Sequence, residues 1–416
     1  MKNNFFLALL LCTAATAGCS DKGSSAIDAD AELVPAKPIA LSAAQKQRAE
    51  LDNRFALAMF RNVSAAVGSN TFFSPLSLNM ALGMLYNGTS GDTRTELAQV
   101  MGFADFSEAE INEYYQLMSD ALLSVDPLTE LGIANSIWYR TGFDVKPPFV
   151  SINQQYFSAE VQSLDFASPD AASIINGWCA DKTKDKIKEI IESPIPNDVV
   201  MYLINALYFK SKWQYTFDKS ESREADFSKA NGSAVSATFM HHTATLPYYA
   251  DEHVQCVEMP YGNQAFSMVA LLPPDGTSIE QLVEYLDSET WLGITQGLHE
   301  REVSVAFPRF KVECEIALNK PVQQAGILQI FNEGGLLNLS DNPYVVVSNI
   351  KQKTFVEVNE EGTEAAAVTA IGMEMTSAGP SSPTPFIANR PFLYLIREKS
   401  TGVILFVGRM DEPKES

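Results

Sequence analysis

Thr354-Phe355-Val356-Glu357-Val358-Asn359-Glu360 is an alternating, β-prone run that leads straight into Glu361-Gly362-Thr363-Glu364-Ala365-Ala366-Ala367. After the glycine the chain stays small or weakly apolar until Gly379-Pro380-Ser381-Ser382-Pro383-Thr384-Pro385. A loop this long inside a compact domain is uncommon and usually functional. Every second residue from Thr363 (Ala365, Ala367, Thr369, Ile371, Met373, Met375) is uncharged, and both later glutamates, Glu364 and Glu374, fall in the other set. That is the period of a half-buried strand with Thr363, Ala365, Ala367 and Thr369 inward. No proline lies between Gly362 and Gly379, so nothing blocks a ladder. The segment reads as a latent strand whose insertion into a sheet would release on the order of 10 kcal/mol, from about a dozen bonds at roughly 1 kcal/mol each. On pattern alone, an exposed low-complexity loop with accidental alternation stays open.

Upstream, Val199 to Lys210 is apolar on both faces apart from Asn205, as expected for the middle of a covered sheet. Helical periods run over Ser42–Val67, Phe106–Leu123, Val150–Phe157 and Ser173–Ile191. Ser74 and Pro75 suit the cap and first turn of a helix that stops near Asn87-Gly88. Strands are expected at Ile133–Tyr139, Val235–Leu246, Val254–Met259, Phe266–Leu272, Val303–Val312, Tyr344–Val347, Phe392–Ile396 and Val403–Val407. Helices dominate the first half and strands the second, which fits a single α+β domain with large sheets.

At the start, Lys2 precedes an apolar run, Phe5–Leu11, and then small residues up to Cys19. This reads as a signal peptide over residues 1–18, too short for a membrane span. Ala17-Gly18-Cys19 resembles a bacterial lipoprotein cleavage site, with Thr16 where leucine is usual. Cys19 would then be lipidated and the protein anchored in the cell envelope, plain secretion being the alternative. Residues 19–45 are expected to form a tether and 46–416 the folded domain. Cys179, Cys256 and Cys314 are too widely spaced for a disulfide framework or a Cys-x-x-Cys metal site, so buried free thiols are expected.

The 416 residues hold 51 Asp and Glu against 30 Lys and Arg, a formal net charge of −21. That balance argues against nucleic-acid or heparin-like partners. The Phe106–Leu123 stretch carries Glu108, Glu110, Glu113 and Asp120 and no basic residue. There is no Gly-x-Ser-x-Gly elbow and no Ser-x-x-Lys with Lys-Thr-Gly, so a serine hydrolase is set aside. His241-His242 lacks a suitably spaced third ligand for a metal. No cofactor is indicated.

Several motifs, in order, resemble the serpin family from about Leu51 to Asp411: Asn70-Thr71-Phe72-Phe73-Ser74-Pro75-Leu76-Ser77-Leu78, Ile175-Asn176-Gly177-Trp178, Ile204-Asn205-Ala206-Leu207-Tyr208-Phe209-Lys210 with Trp213, the run Val358–Ala367, Phe386–Phe392 and Ile404–Arg409. The resemblance implies about nine helices around three β-sheets with an exposed reactive-centre loop over about 360–386. It implies a monomeric suicide-substrate inhibitor of serine-type proteases, not an enzyme. A protease acylated by the loop is trapped when the loop inserts as a new strand. Family spacing from Gly362 puts the attacked bond at Thr376–Ser377, with Met375–Thr376 the near alternative. Those side chains suit elastase-like or subtilisin-like enzymes, and Met375 also a chymotrypsin-like one. The hinge comprises Glu360, Gly362, Thr363, Glu364, Ala365, Ala366, Ala367 and Thr369. Arg309 matches the partner of Glu360 near Trp213, where the top of the sheet is held closed. Ser74, Ser77 and Asn205 match the gate lower down, with Gln352 where the family usually has a histidine; an amide can still bond Asn205, but any pH sensitivity a histidine gives there would be lost. A non-inhibitory member acting as a binding or carrier protein is the other reading.

Overall fold

The computed structural model describes residues 36–363 and 382–415. The signal segment, Cys19, and the loop residues Glu364, Ala365, Ala366, Ala367, Thr369, Met375, Thr376 and Ser377 lie outside them.

Two hydrogen-bonded sheet networks carry the fold. The smaller contains β2 (Glu130–Arg140), β3 (Glu160–Leu164), β4 (Met201–Lys212), β10 (Phe310–Ala317), β11 (Lys351–Asn359) and β12 (Gly362–Thr363), in the order β10-β11-β12-β4-β2-β3. The larger contains β1 (Thr71–Phe73), β5 (Arg223–Ser228), β6 (Ala234–Ala250), β7 (Gln255–Pro260), β8 (Phe266–Leu272), β9 (His299–Pro308), β13 (Thr384–Ile387), β14 (Phe392–Glu398) and β15 (Ile404–Met410). The three expected sheets thus appear as two networks, because the long β6 joins two lobes. It pairs with β9 along Phe239–Tyr248 and with β7 only at Tyr248–Ala250.

Nine α-helices pack around these sheets among the described residues: α1 (Ala43–Val67), α2 (Pro75–Tyr86), α3 (Gly91–Met101), α4 (Glu108–Ser124), α5 (Pro147–Phe157), α6 (Ala171–Lys182), α7 (Ile279–Tyr285), α8 (Ser288–Gly297) and α9 (Asn319–Gln324). Local chemistry sets their starts. Ser42 and Gln45 close a capping box on α1, Ser107 and Glu110 one on α4, and Ser74 caps α2 ahead of Pro75. Helix α2 is buried on nearly every side, running through the core behind the smaller sheet.

Four expectations change. Val303–Val312, expected as one strand, breaks at Arg309 into β9 of the larger sheet and β10 of the smaller. The tether does not extend to residue 45, since α1 opens at Ala43 and Ile39 and Leu41 pack against the core. Ala36 and Ile39 are tied by backbone N–H bonds to the Asn263 carbonyl (3.3 Å) and Ser400 Oγ (2.9 Å). The helix expected over Ser173–Ile191 ends at Lys182. Lys184 and Asp185 turn left-handed (φ 51° and 62°), and Asn176 Oδ1 accepts the N–H of Ile190 and Ile191. The apolar spacing beyond residue 182 therefore comes from an irregular strap, not a helix. Tyr344–Val347 belongs to no strand, because the sheet is open beside it.

Candidate functional site

Strand β4 is interior, as its sequence suggests, but its neighbour on one side is only the two-residue β12. Gly362 pairs with Lys212 and Thr363 with Ser211; on the other side Asn359 pairs with Gly362 and Val358 with Thr363. Below that point β4 and β11 have no ladder with each other among the described residues. A cavity of about 490 Å³ opens there, lined by Leu78 and Leu82 of α2, Leu203 of β4, Val345, and Ile187 and Ile190 of the strap. Parting the strands leaves an apolar slot as wide as one missing strand.

The top of this slot is densely fastened. Glu360 is buried, and its carboxylate accepts Arg309 Nε at 2.8 and 2.9 Å and Ser222 Oγ at 2.5 Å; Arg309 Nη2 completes the fork. Burial alone would raise the Glu360 pKa. The hydrogen bonds from Arg309 and Ser222 outweigh it and hold the carboxyl below the usual range. Trp213 donates its backbone N–H to the Glu361 carbonyl and its Nε1–H to the Asn359 carbonyl, each at 2.9 Å. The Phe217 N–H bonds the Glu360 carbonyl at 2.9 Å. The indole stacks on Tyr261, centroids 4.4 Å apart and planes 10° apart. Tyr261 in turn shares a buried 2.6 Å hydrogen bond with the Thr363 hydroxyl. Gly362 has φ +154°, and a Cβ there would sit 2.1 Å from the Ser211 carbonyl oxygen, so only glycine fits.

Lower down, the gate is closed by other bonds than the one an amide could make to Asn205. Gln352 does not bond Asn205. Its Oε1 accepts the Ser74 N–H at 2.8 Å and its Nε2 donates to the Ser74 carbonyl at 2.9 Å. The reason lies at the helix cap: Ser74 Oγ is spent on Ser77 N–H and the Leu405 carbonyl, leaving the Ser74 backbone for the amide. Asn205 donates instead to Asn135 Oδ1 at 2.7 Å, and its own Oδ1 is buried without a partner. Ser77 Oγ reaches the Asn205 carbonyl at 3.5 Å.

The structure therefore brings Trp213, Arg309, Glu360, Gly362 and Thr363 together at one end of the slot, and Ser74, Ser77, Asn205 and Gln352 around its middle. Sequence reasoning missed Tyr261 and Ser222. Tyr261 opens an ordinary Tyr-Gly turn, and Ser222 lies in a polar stretch, so neither carries a local signal. Cys179, Cys256 and Cys314 are free and buried, and burial pushes the Cys179 thiol up to about 11. His241 and His242 project to opposite sides of β6, as successive strand residues must. Among the described residues no group of three His, Cys, Asp or Glu could hold a metal.

Comparison with known proteins agrees with this geometry. Residues 50–413 match the sequence model of the family described as Serpin (serine protease inhibitor). Iripin-2 from Ixodes ricinus is 34% identical over 367 residues, covering 87% of this chain and 92% of that protein. The leukocyte elastase inhibitor of Bos taurus is 31% identical over 381 residues, covering 88% and 100%. The native-state crystal structure of the thermophilic serpin tengpin superposes with a TM-score of 0.81 at 28% identity, covering 91% of this chain and 97% of tengpin. The chain belongs to the serpin family, whose members are in general protease inhibitors rather than catalysts.

Proposed function

We propose that this protein is a suicide-substrate inhibitor of serine-type endopeptidases, with Thr376–Ser377 as the bait bond. The observation that carries the reading is the register of β12. Continued residue by residue, the pairing of Gly362 and Thr363 with β4 sets Thr369 opposite Asn205. The pairing with β11 independently sets Thr369 opposite Gln352. Both ladders are thus compatible with one strand filling the slot, which would turn Thr363, Ala365, Ala367 and Thr369 toward α2. The same register exhausts β4 at Met201 opposite Met373, so a bond just beyond it reaches the far end of the slot.

The chemistry follows. The protease serine Oγ attacks the Thr376 carbonyl carbon, and the C–N bond to Ser377 breaks. The new amine leaves with the proton carried by the protease histidine, and an ester joins the two proteins. Cleavage frees residues 363–376 to enter the slot from the top, and the attached enzyme is carried down before water hydrolyses the ester. That serpins insert a loop is a general example of switching, not a finding about this chain. The likeness to an inhibitor named for leukocyte elastase, and the absence of Lys or Arg from 363–389, support elastase-like or subtilisin-like targets, with chymotrypsin-like enzymes next. The proposal includes export of a monomer, held at the cell envelope through Cys19; no described helix is long and apolar enough to cross a membrane.

The test is to mix the protein with pancreatic elastase, a subtilisin, a chymotrypsin and a trypsin and run denaturing gels. A covalent complex plus a released fragment beginning at Ser377 is the expected result. Loop cleavage with no complex and no gain in thermal stability would leave the carrier reading instead.

A further inference from the structure

Behind the hinge clasp lies a histidine that the inhibitory mechanism does not use. The turn carrying Trp213 and Phe217 donates backbone N–H bonds to the carbonyls of Glu361 and Glu360, so its position sets the position of the hinge. His242, on β6 opposite Val305 of β9, is packed beneath that turn. Its ring stacks on Tyr215, with centroids 6.1 Å and planes 18° apart, and lies edge-on to Phe217 at 5.8 Å.

The ring is half-buried, and its packed side is apolar. Trp213, Tyr215 and Phe217 of the turn, Leu246 of β6, Met259 and Pro260 of β7, and Val305 of β9 line the space. Tyr215 is the one titratable group among them, and no charged side chain of these elements acts on the ring. His242 Nε2 is buried and has no hydrogen-bond partner. The void left beside it is about 10 Å³, at or below what a single water needs. The neutral ring can keep its proton on Nδ1 and turn only a lone pair to the apolar wall at Nε2. A second proton would place an N–H, and a positive charge, where nothing accepts it.

We infer that His242 is a positioning residue for the hinge clasp, and that its protonation loosens the 213–217 turn and frees Gly362–Thr363 from the top of the slot. Burial lowers its pKa, so the clasp is intact above the ordinary histidine value near 6.5 and weakens as pH falls through the lower folded value. Glu360 is held below the usual carboxylate range by Arg309 and Ser222. His241, lowered by burial and by Arg223, faces Arg223 and Glu221 on the other side of β6 and is the internal control.

This rests on reading Gly362–Thr363 as the hinge, but its test needs no protease. Hydrogen exchange of the full-length protein is followed at the Trp213 and Phe217 amides between pH 7.5 and 5.0, corrected for intrinsic exchange. In wild type, protection should fall by about tenfold for each pH unit separating the free and buried histidine pKa. His242→Phe should hold protection constant over the same range, and His241→Gln should keep the wild-type loss. A pH response that survives in His242→Phe, or no response in wild type, overturns the inference. Should the phenylalanine variant not fold, the imidazole C2 proton of His242 in wild type decides. Titration in step with the loss of protection supports the role, and titration near 6.5 with protection unchanged overturns it. Failure to trap any protease would refute the inhibitor reading and leave this result standing.

Discussion

Glu360 is a carboxylate buried at the top of the slot, where β12 bridges β11 and β4. Its stability rests on Arg309, about one-third exposed, and on Ser222. Arg309→Ala strands the charge, and we expect a loss of about 2 kcal/mol in the first guanidinium transition. The sign with pH discriminates the cause. In wild type the Glu360 carboxyl is depressed, so its contribution is full above about pH 4.3 and vanishes as pH falls through the lower folded value. Without Arg309 burial dominates, the pKa rises, and acid should relieve the variant rather than harm it. A stability–pH profile of the variant parallel to wild type below pH 4.5 would show that the pair contributes nothing.

At the scale of elements, the joint between α2 and β11 replaces a ring with an amide. Gln352→Ala leaves the buried Ser74 N–H unpaired and its carbonyl with only the Leu78 N–H, a loss of roughly 2 kcal/mol in the same transition. The sheet register makes a second prediction. Thr369→Arg would drive a guanidinium between Asn205 and Gln352 toward α2, and the variant should be cut as a substrate without trapping the protease. Equal complex yields on gels would place Thr369 on the outer face. How much of this was legible follows from range. The Ser74 cap and the strand running up to Glu360-Glu361-Gly362 were legible because their chemistry is local, while the alternation after Thr363 lies outside the described residues. The choice of Ser74 over Asn205 by Gln352 was not, since it depends on what the cap has already bonded. The strap after Lys182 misled because Ile187, Ile190 and Ile191 keep a helical spacing while covering the slot. The open slot itself is the lack of a pairing, for which a sequence has no symbol.

For the molecule as a whole, the vacant strand position predicts that the cut form is the more stable one. Cleavage within the loop should move the thermal midpoint up sharply, since roughly a dozen ladder bonds are added and the apolar slot is filled. Calorimetry of intact and cut protein checks this, and equal midpoints would mean that no strand enters. The net charge of −21 adds a kinetic expectation. Complex formation with proteases of basic surface should slow as salt rises from 50 to 500 mM, as the Debye length shrinks.

Ala36 is tied to Asn263; the N–H of the adjacent Gly262 bonds the carbonyl of Lys212, the residue paired with Gly362. Glu415 lies near Arg309 at the same end, where its side chain also accepts the Thr238 N–H. Both ends of the described chain are thus handles on one pole, the pole of the hinge. A bead or sensor chip coupled through either handle would crowd the hinge clasp. The twelve residues of β4 give insertion a path of about 40 Å leading away from that surface. An attachment point engineered on the opposite pole, near the strap, would leave the clasp clear and bring the captured enzyme to rest against the support.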